Sequence, residues 1–84
     1  MSRYAVFIRE ETLHTAPQSG VQRHMVMEFI RSLADDPFQA GDFHEHDSTG
    51  RRLEVKIVGR HAVTFWSDHP VKEVKVVHIR LADR

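Results

Sequence analysis

The sequence contains no cysteine, and among its 84 residues there are only three prolines and four glycines. The lack of cysteine excludes disulfide bonds, thiolate nucleophiles and cysteine-based zinc sites. No apolar run approaches the roughly 18 residues of a membrane-spanning helix. A phosphate-binding loop, a dinucleotide fingerprint and a Gly-x-Ser-x-Gly nucleophile elbow are also missing. These absences predict a soluble domain with no cofactor and no serine-based hydrolytic chemistry.

Apolar residues make up 40% of the chain and charged residues 29%, a balance typical of a folded globular domain. The length leaves room for a single domain, residues 1–84. A chain this short buries only about 60% of its unfolded surface, so we expect a thin core that a partner protein can share. The first apolar stretch, residues 4–8, is too short for a signal peptide. We therefore expect a cytoplasmic protein that does not contact a membrane.

The net charge is zero, but acidic and basic residues are distributed unevenly along the chain. Residues 1–50 carry four arginines and eight acidic residues, whereas residues 51–84 carry eight basic and four acidic residues. This asymmetry predicts a basic face that binds an anionic partner, although the two halves can equally attract one another across the fold. Seven histidines add positive charge as the pH falls towards 5.

The first half of the chain has the pattern of one strand and one main helix. Residues 4–8 are β-branched or aromatic and predict a strand buried on both faces, and residues 10–14 are compatible with a helical turn. Thr15 with Gln18, or Ser19 with Gln22, has the spacing of a capping box at a helix start. The helix should run to about Ala34, before Asp35-Asp36-Pro37 ends it. Its apolar stripe comprises Val21, Met25, Val26, Phe29, Ile30 and Leu33.

The second half changes to the two-residue period of strands. Residues 42–47 are polar enough for an edge strand, and strands are predicted over residues 53–57, 61–66 and 74–81. Short turns between them favour an antiparallel meander. The whole pattern predicts an α+β fold in which one helical layer packs on one sheet.

The alternation also sorts side chains by face. We expect an apolar set to pack under the helix: Leu53, Val55, Ile57, Val63, Phe65, Val77, Ile79 and Leu81. The opposite face should then be basic, with an exposed indole and three valines between the polar residues, and should meet solvent, a partner or a ligand: Arg52, Lys56, Val58, Thr64, Trp66, Val74, Val76, His78 and Arg80.

Three segments resemble the RelE/ParE superfamily of small bacterial toxins. They are GRHAVTFWSD at residues 59–68, VKVVHI at residues 74–79, and LADDP at residues 33–37 with Gly41. In that family a glycine precedes a central aromatic-rich strand with an acidic turn, and a Val/Ile-rich strand closes the sheet. The resemblance spans most of the chain. It implies an N-terminal strand, one or two helices and a three- to four-stranded antiparallel meander.

The resemblance implies the toxin-like component of a type II toxin–antitoxin, or plasmid stabilisation, module that a cognate antitoxin protein binds. RelE-like members inhibit translation as endoribonucleases, cleaving mRNA on the ribosome by attack of the ribose 2′-OH, with no metal or other cofactor. ParE-like members inhibit DNA gyrase without hydrolytic residues. A third alternative is a non-toxic, degenerate member that only binds protein, and a homodimer is also compatible with the sequence.

The ribonuclease interpretation assigns roles to particular residues. RNA cleavage needs proton transfer and charge stabilisation, which suit histidine and arginine or lysine respectively. His61 occupies the position where the ribonuclease branch commonly has arginine, with Arg60 one position earlier. The expected catalytic residues are His61, His78 and Arg80, and the expected RNA-binding residues are Arg52, Lys56, Arg60, Trp66 and Arg84. Trp66 is suited to stacking on a base, and the frequency of tryptophan at interface hot spots favours a role as an antitoxin anchor.

A second cluster, His44-Glu45-His46-Asp47, places two imidazoles on one face of a strand, a spacing that suits zinc or nickel. No third ligand is evident in the sequence. We therefore expect exposed histidines on an edge strand and no metal site.

Overall fold

The computed structural model describes residues 3–82, so the predicted role of Arg84 lies outside the described residues. Two helices and five strands follow in the order β1 Ala5–Ile8, α1 Glu10–Thr15, α2 Gly20–Asp35, β2 Phe43–His46, β3 Arg52–Val58, β4 His61–Asp68 and β5 Glu73–Leu81. The α+β class is confirmed. Neither helix in residues 3–82 has the length and apolar character that crossing a membrane requires.

The five strands form one mixed sheet in the spatial order β1-β5-β4-β3-β2. Neighbouring strands from β2 to β5 are antiparallel, as the short turns between them predict. β1 pairs in parallel with the first half of β5, with Val6 beside Val74 and Ile8 beside Val76. This one parallel pair makes the sheet mixed. In the chain, the two helices and strands β2–β4 lie between β1 and β5.

The main core lies between α2 and one face of the sheet. The helix contributes Val26, Ile30 and Leu33, and the sheet contributes Val63, Phe65, Val74, Val76 and Ile79. The predicted helical stripe is correct over these positions, because residues three and four apart lie on one side of a helix. It is wrong at the start of α2, where Val21 is 76% exposed.

β1 is an edge strand, not a strand buried on both faces. Its residues alternate between exposed and half-buried, because only one neighbouring strand and one helical layer cover it. The short helix α1 covers the part of the β5 edge that β1 does not reach. Thr12 Oγ1 donates to the Val77 carbonyl oxygen at 3.0 Å, and Thr15 Oγ1 donates to that of Ile79. These bonds satisfy backbone acceptors that would otherwise leave an open sheet edge.

The capping box predicted at the start of α2 does not form. Ser19 is the N-cap residue but makes no side-chain capping hydrogen bond. The Gln22 amide instead donates to the Val58 carbonyl at 2.8 Å and accepts from the Arg60 N–H at 3.3 Å. Gly59 between them has φ of +60°, a conformation that favours glycine, and Gln22 lies against it. The glutamine thus ties the helix to the β3–β4 turn.

The predicted division of the sheet into faces is wrong for β3 and for part of β5. Lys56 pairs with Val63 and Glu54 pairs with Phe65, so the polar residues of β3 lie on the helix side. Val55 pairs with Thr64 on the other side. Strand alternation alone does not determine register, and a shift of one residue exchanges the two faces.

A β-bulge in β5 causes the second error. Thr64 pairs with His78 but the next residue, Phe65, pairs with Val76, so Val77 is an extra residue. The bulge changes the alternation. Val76 and Ile79 therefore both reach the helix-side core, although they are an odd number of positions apart in the strand.

Candidate functional site

The side of the sheet away from α2, here called the open face, carries two clefts. The first, of about 510 Å³, is lined by Arg9, Arg51, Leu53, Trp66, Lys75 and His78, among others. The second, of about 600 Å³, is lined mainly by Phe43, Val55, Ile57 and Leu81, together with Glu45 and Arg80. Both volumes fall in the range of roughly 300–1,000 Å³ that is usual for ligand sites.

Trp66 contacts two cationic side chains in the first cleft. The Arg51 guanidinium carbon is 4.0 Å from the centre of the indole ring, and Lys75 Nζ is 4.9 Å from it. Cation–π contacts of this kind contribute about 0.5–1 kcal/mol at exposed sites. They hold the indole beside the cations, and because Arg51 already lies over the ring, a nucleobase would stack on the remaining ring surface or replace the guanidinium.

The loop between β2 and β3 is held by Asp47. Its carboxylate accepts hydrogen bonds from the Thr49 hydroxyl at 2.6 Å and from the backbone N–H groups of Thr49 and Arg51, each at 2.9 Å. The Thr49 hydroxyl chiefly lowers the pKa of Asp47, with further lowering by the two backbone groups and the Arg51 charge. The ionised carboxylate therefore fixes the loop that places Arg51 on Trp66.

Two further cations of the open face, Lys75 and Arg80, also have carboxylate partners. Lys75 Nζ lies 3.2 Å from Asp68 and 3.4 Å from Glu73. The Arg80 guanidinium lies 4.0 Å from Glu45. Their positive charges are thus partly neutralised, which limits attraction to free polyanions.

His78 is exposed and lines the first cleft together with Trp66 and Lys75. Its cross-strand partner, Thr64, is fully buried, and the Thr64 hydroxyl has no hydrogen-bond partner among residues 3–82. An exposed imidazole in such a cleft can act in proton transfer next to a phosphate. The predicted association of His78 with Trp66 is therefore present in the first cleft.

Arg52 and Lys56 do not join His78, because the register of β3 places them on the helix side. Arg52 bonds Glu54 at 2.8 Å, and Lys56 lies 3.6 Å from Asp42. Arg52 and Trp66 line one cleft together only in a smaller depression of about 350 Å³, which also includes Glu54. The prediction that both cations share one face with His78 is wrong.

His61 is 8% exposed and lies on the helix side of β4, and its Nδ1 has no hydrogen-bond partner among the described residues. The adjacent Arg60 is exposed in the β3–β4 turn. Neither lines a cleft of the open face together with His78. Arg80 shares the strand of His78 but lines the second cleft. The predicted site is thus divided, and His78 with Trp66 is the part that remains together.

Three cationic residues of the first cleft are absent from the predicted site: Arg9, Arg51 and Lys75. Arg51 lies just before the alternating pattern that predicts β3, so that pattern assigns it to no face. Arg9 reaches the cleft because β1 is next to β5, a pairing that no local pattern shows. The correct β3 register would have pointed to Arg51, since it has the parity of Leu53.

The two histidines of β2 do not form a metal centre with other described residues. His44 and His46 have their ring centroids 5.6 Å apart. In residues 3–82, no three histidine or carboxylate side chains are grouped closely enough to hold a metal ion.

No protein-family model matches the chain, and a search of curated proteins found no match. The function must therefore be inferred from the residues and from the geometry of the open face.

Proposed function

We propose that this protein is the toxin-like component of a type II toxin–antitoxin module of the RelE/ParE kind, and that it cleaves mRNA on the ribosome. One observation carries the proposal: the first cleft combines the imidazole of His78, the indole of Trp66 and cationic side chains from three strands or their ends. The element order, a strand and two helices followed by an antiparallel meander, also supports it.

In the proposed reaction the ribose 2′-oxygen attacks the adjacent phosphorus, and the bond from phosphorus to the 5′-oxygen breaks. The products are a 2′,3′-cyclic phosphate and a 5′-hydroxyl. His78 accepts the proton of the 2′-OH, and water protonates the leaving 5′-oxygen. Lys75 and Arg9 stabilise the negative charge of the phosphorane, while Trp66 stacks on a neighbouring base.

Dependence on the ribosome follows from the charges. Affinity for free RNA comes largely from unpaired cations that contact phosphates. Here Arg51, Lys75 and Arg80 each face a carboxylate, and the net charge of the chain is zero. We therefore expect weak binding to free RNA and productive cleavage only where the ribosome presents an mRNA in a fixed geometry.

The open face also has apolar side chains that suit a protein partner. Phe7, Phe43 and Leu81 are all more than half exposed. Phe7 lines the first cleft and the other two line the second, so a cognate antitoxin that covered all three would block both clefts and bury the apolar surface. We include this partner, in the cytoplasm, in the proposal.

The test is translation of a defined mRNA with purified ribosomes, followed by mapping of the new 5′ ends. Cleavage that disappears when a 2′-deoxynucleotide replaces the ribose at the cut site supports the proposed reaction. Intact mRNA on translating ribosomes would refute the ribonuclease function.

A second candidate is non-hydrolytic inhibition of DNA gyrase, as in ParE-like proteins. The carboxylate partners of the cations and the apolar second cleft favour a surface that binds protein. Expression would then induce DNA-damage signalling without mRNA cleavage. Absence of both effects would favour a non-toxic member that only binds protein, and size measurement in solution would show whether it forms a homodimer.

A further inference from the structure

The ion pair between Glu45 and Arg80 crosses the middle of the open face. Glu45 lies on β2 and Arg80 on β5, and the two strands between them are β3 and β4. Leu53 is opposite Glu45, whereas Ala62 is opposite Arg80, so the pair runs diagonally across the sheet. Its nearest atoms are 4.0 Å apart. The two side chains must therefore bend towards each other over the strands between them.

The row of residues that this diagonal crosses is buried. Val55 and Thr64 are paired across β3 and β4, and their exposed fractions are 2% and 0%. The helix α2 packs on the other side of the sheet, and α1 lies along the β5 edge. The Thr64 hydroxyl has no hydrogen-bond partner within residues 3–82, and a buried hydroxyl in that state is costly.

We propose that the Glu45–Arg80 pair is a closure between the two clefts, and that a phosphodiester group of single-stranded RNA opens it by replacing Glu45 on Arg80. Opening would join the clefts into one trough that follows the RNA backbone and would uncover Thr64. This inference rests on the proposed function, since it names how the same face receives its substrate.

The pair has the properties of a closure that a ligand can displace. Its side chains are 55% and 41% exposed and the separation is at the outer limit of an ion pair, so breaking it costs little. A phosphate oxygen pair can accept two parallel hydrogen bonds from one guanidinium, a stronger geometry. We therefore expect the interaction of a phosphate with Arg80 to be stronger than the Glu45–Arg80 ion pair that it replaces.

The buried hydroxyl supplies a second reason for an opened state. Thr64 is next to His78 in the cross-strand register, so a phosphate held at Arg80 and a ribose at His78 would pass over it. The hydroxyl could then donate to a phosphate or ribose oxygen. Ligand binding would thus supply the hydrogen-bond partner that the hydroxyl lacks in the closed form.

The experiment measures binding of a fluorescently labelled single-stranded 2′-O-methyl RNA, which cannot be cleaved through the 2′-oxygen. Fluorescence anisotropy is recorded for the wild type, Glu45→Gln, Arg80→Gln and the double variant. Glu28→Gln is the matched control, because it removes the same charge from an Arg31 ion pair on α2. Thr64→Val is added to Glu45→Gln to test the hydroxyl.

We expect Glu45→Gln to bind about two- to fivefold more tightly than wild type, in keeping with the small strength of an exposed pair. Glu28→Gln should bind like wild type, and Arg80→Gln should bind more weakly. The gain from Glu45→Gln should vanish in the Arg80→Gln background, which separates release of Arg80 from a general change of charge. Adding Thr64→Val should reduce the gain.

Three results would overturn the closure: equal affinity of wild type and Glu45→Gln, the same gain in Glu28→Gln, or a gain that persists without Arg80. Absence of oligonucleotide binding in every variant would overturn it as well. None of these results decides the proposed function, because mRNA cleavage on ribosomes is measured separately. If the variants bind RNA in the expected pattern but the wild type does not cleave mRNA on ribosomes, the ribonuclease function is refuted and the closure is still supported.

Discussion

The guanidinium of Arg51 lies 4.0 Å from the centre of the Trp66 indole, and the same arginine lies 3.4 Å from the Asp47 carboxylate. The loop from β2 to β3 therefore holds the ring from one side while Lys75 contacts it from β5. Because elements distant in the chain converge on one indole, the position of Trp66 depends on the whole meander.

Replacement of Trp66 by alanine should weaken RNA binding. A stacked base contributes about 1–3 kcal/mol, so the affinity for the 2′-O-methyl oligonucleotide should fall between about five- and 150-fold. The exposed apolar residue Val21 on α2 provides a control, since Val21→Ala should bind like wild type. Equal affinities for Trp66→Ala and wild type would remove the indole from the site.

Stability should depend on pH through Glu54. Its carboxylate accepts from the Gly41 N–H at 3.0 Å and from Arg52 at 2.8 Å. The Gly41 bond, followed by the bond and charge of Arg52, lowers the pKa of Glu54. Because the folded-state pKa is below the unfolded one, the stabilisation is present above the ordinary glutamate pKa of about 4.3 and is lost as the pH falls through the folded value.

Urea unfolding of wild type and Glu54→Gln checks this pH dependence. The stability advantage of the wild type should be constant near pH 7 and should shrink as the pH falls below about 4.3. The glutamine can still accept the Gly41 hydrogen bond, so the comparison isolates the charge. A difference between the two proteins that stays the same at every pH would contradict the assignment.

Thr64→Val should stabilise the fold. The substitution keeps the shape of a fully buried side chain and removes a hydroxyl that has no partner among the described residues. Relief of that desolvation should raise the free energy of unfolding by about 1–2 kcal/mol. Thr64→Ser keeps the hydroxyl and deletes the methyl group, so it should destabilise by about 1 kcal/mol. Thermal unfolding that ranks valine below threonine would show that the hydroxyl is satisfied.

Gly41→Ala should destabilise the connection before β2. A Cβ at this position would collide with the backbone carbonyl of Val55, which cannot move without disturbing the β2–β3 pair. We expect a loss of about 1–3 kcal/mol in urea unfolding. Ala40→Ser, at the exposed preceding position, should change stability by less than about 0.5 kcal/mol. Similar stability for both variants would mean that the loop relaxes freely.

The sequence predicts the elements well because their signals are local. The three- and four-residue spacing of Val26, Ile30 and Leu33 marks the buried side of α2, and short turns predict the antiparallel meander. Asp36-Pro37 marks the end of that helix, as the structure confirms. These features depend on neighbours a few residues away.

The faces and the site depend on distant partners and could not be predicted in the same way. The β5 bulge at Val77 and the register of β3 decide which residues share the open face, and neither leaves a mark in the alternation. Gln22 matches a capping pattern but bonds Val58, 36 residues away. The alternation therefore predicts a basic face with Arg52 and Lys56, whereas the open face of the folded chain has Arg51 and Lys75.

The most direct test compares mRNA cleavage on translating ribosomes by wild type, His78→Gln and Lys56→Gln. His78 lies in the first cleft, whereas Lys56 is a polar strand residue on the other side of the same sheet. We predict that His78→Gln lowers the cleavage rate at least about 100-fold, as expected for loss of a proton-transfer group, and that Lys56→Gln cleaves like wild type. Two results would contradict the account. One is that the wild type does not cleave mRNA, and the other is that the cleavage rate falls with Lys56→Gln but not with His78→Gln.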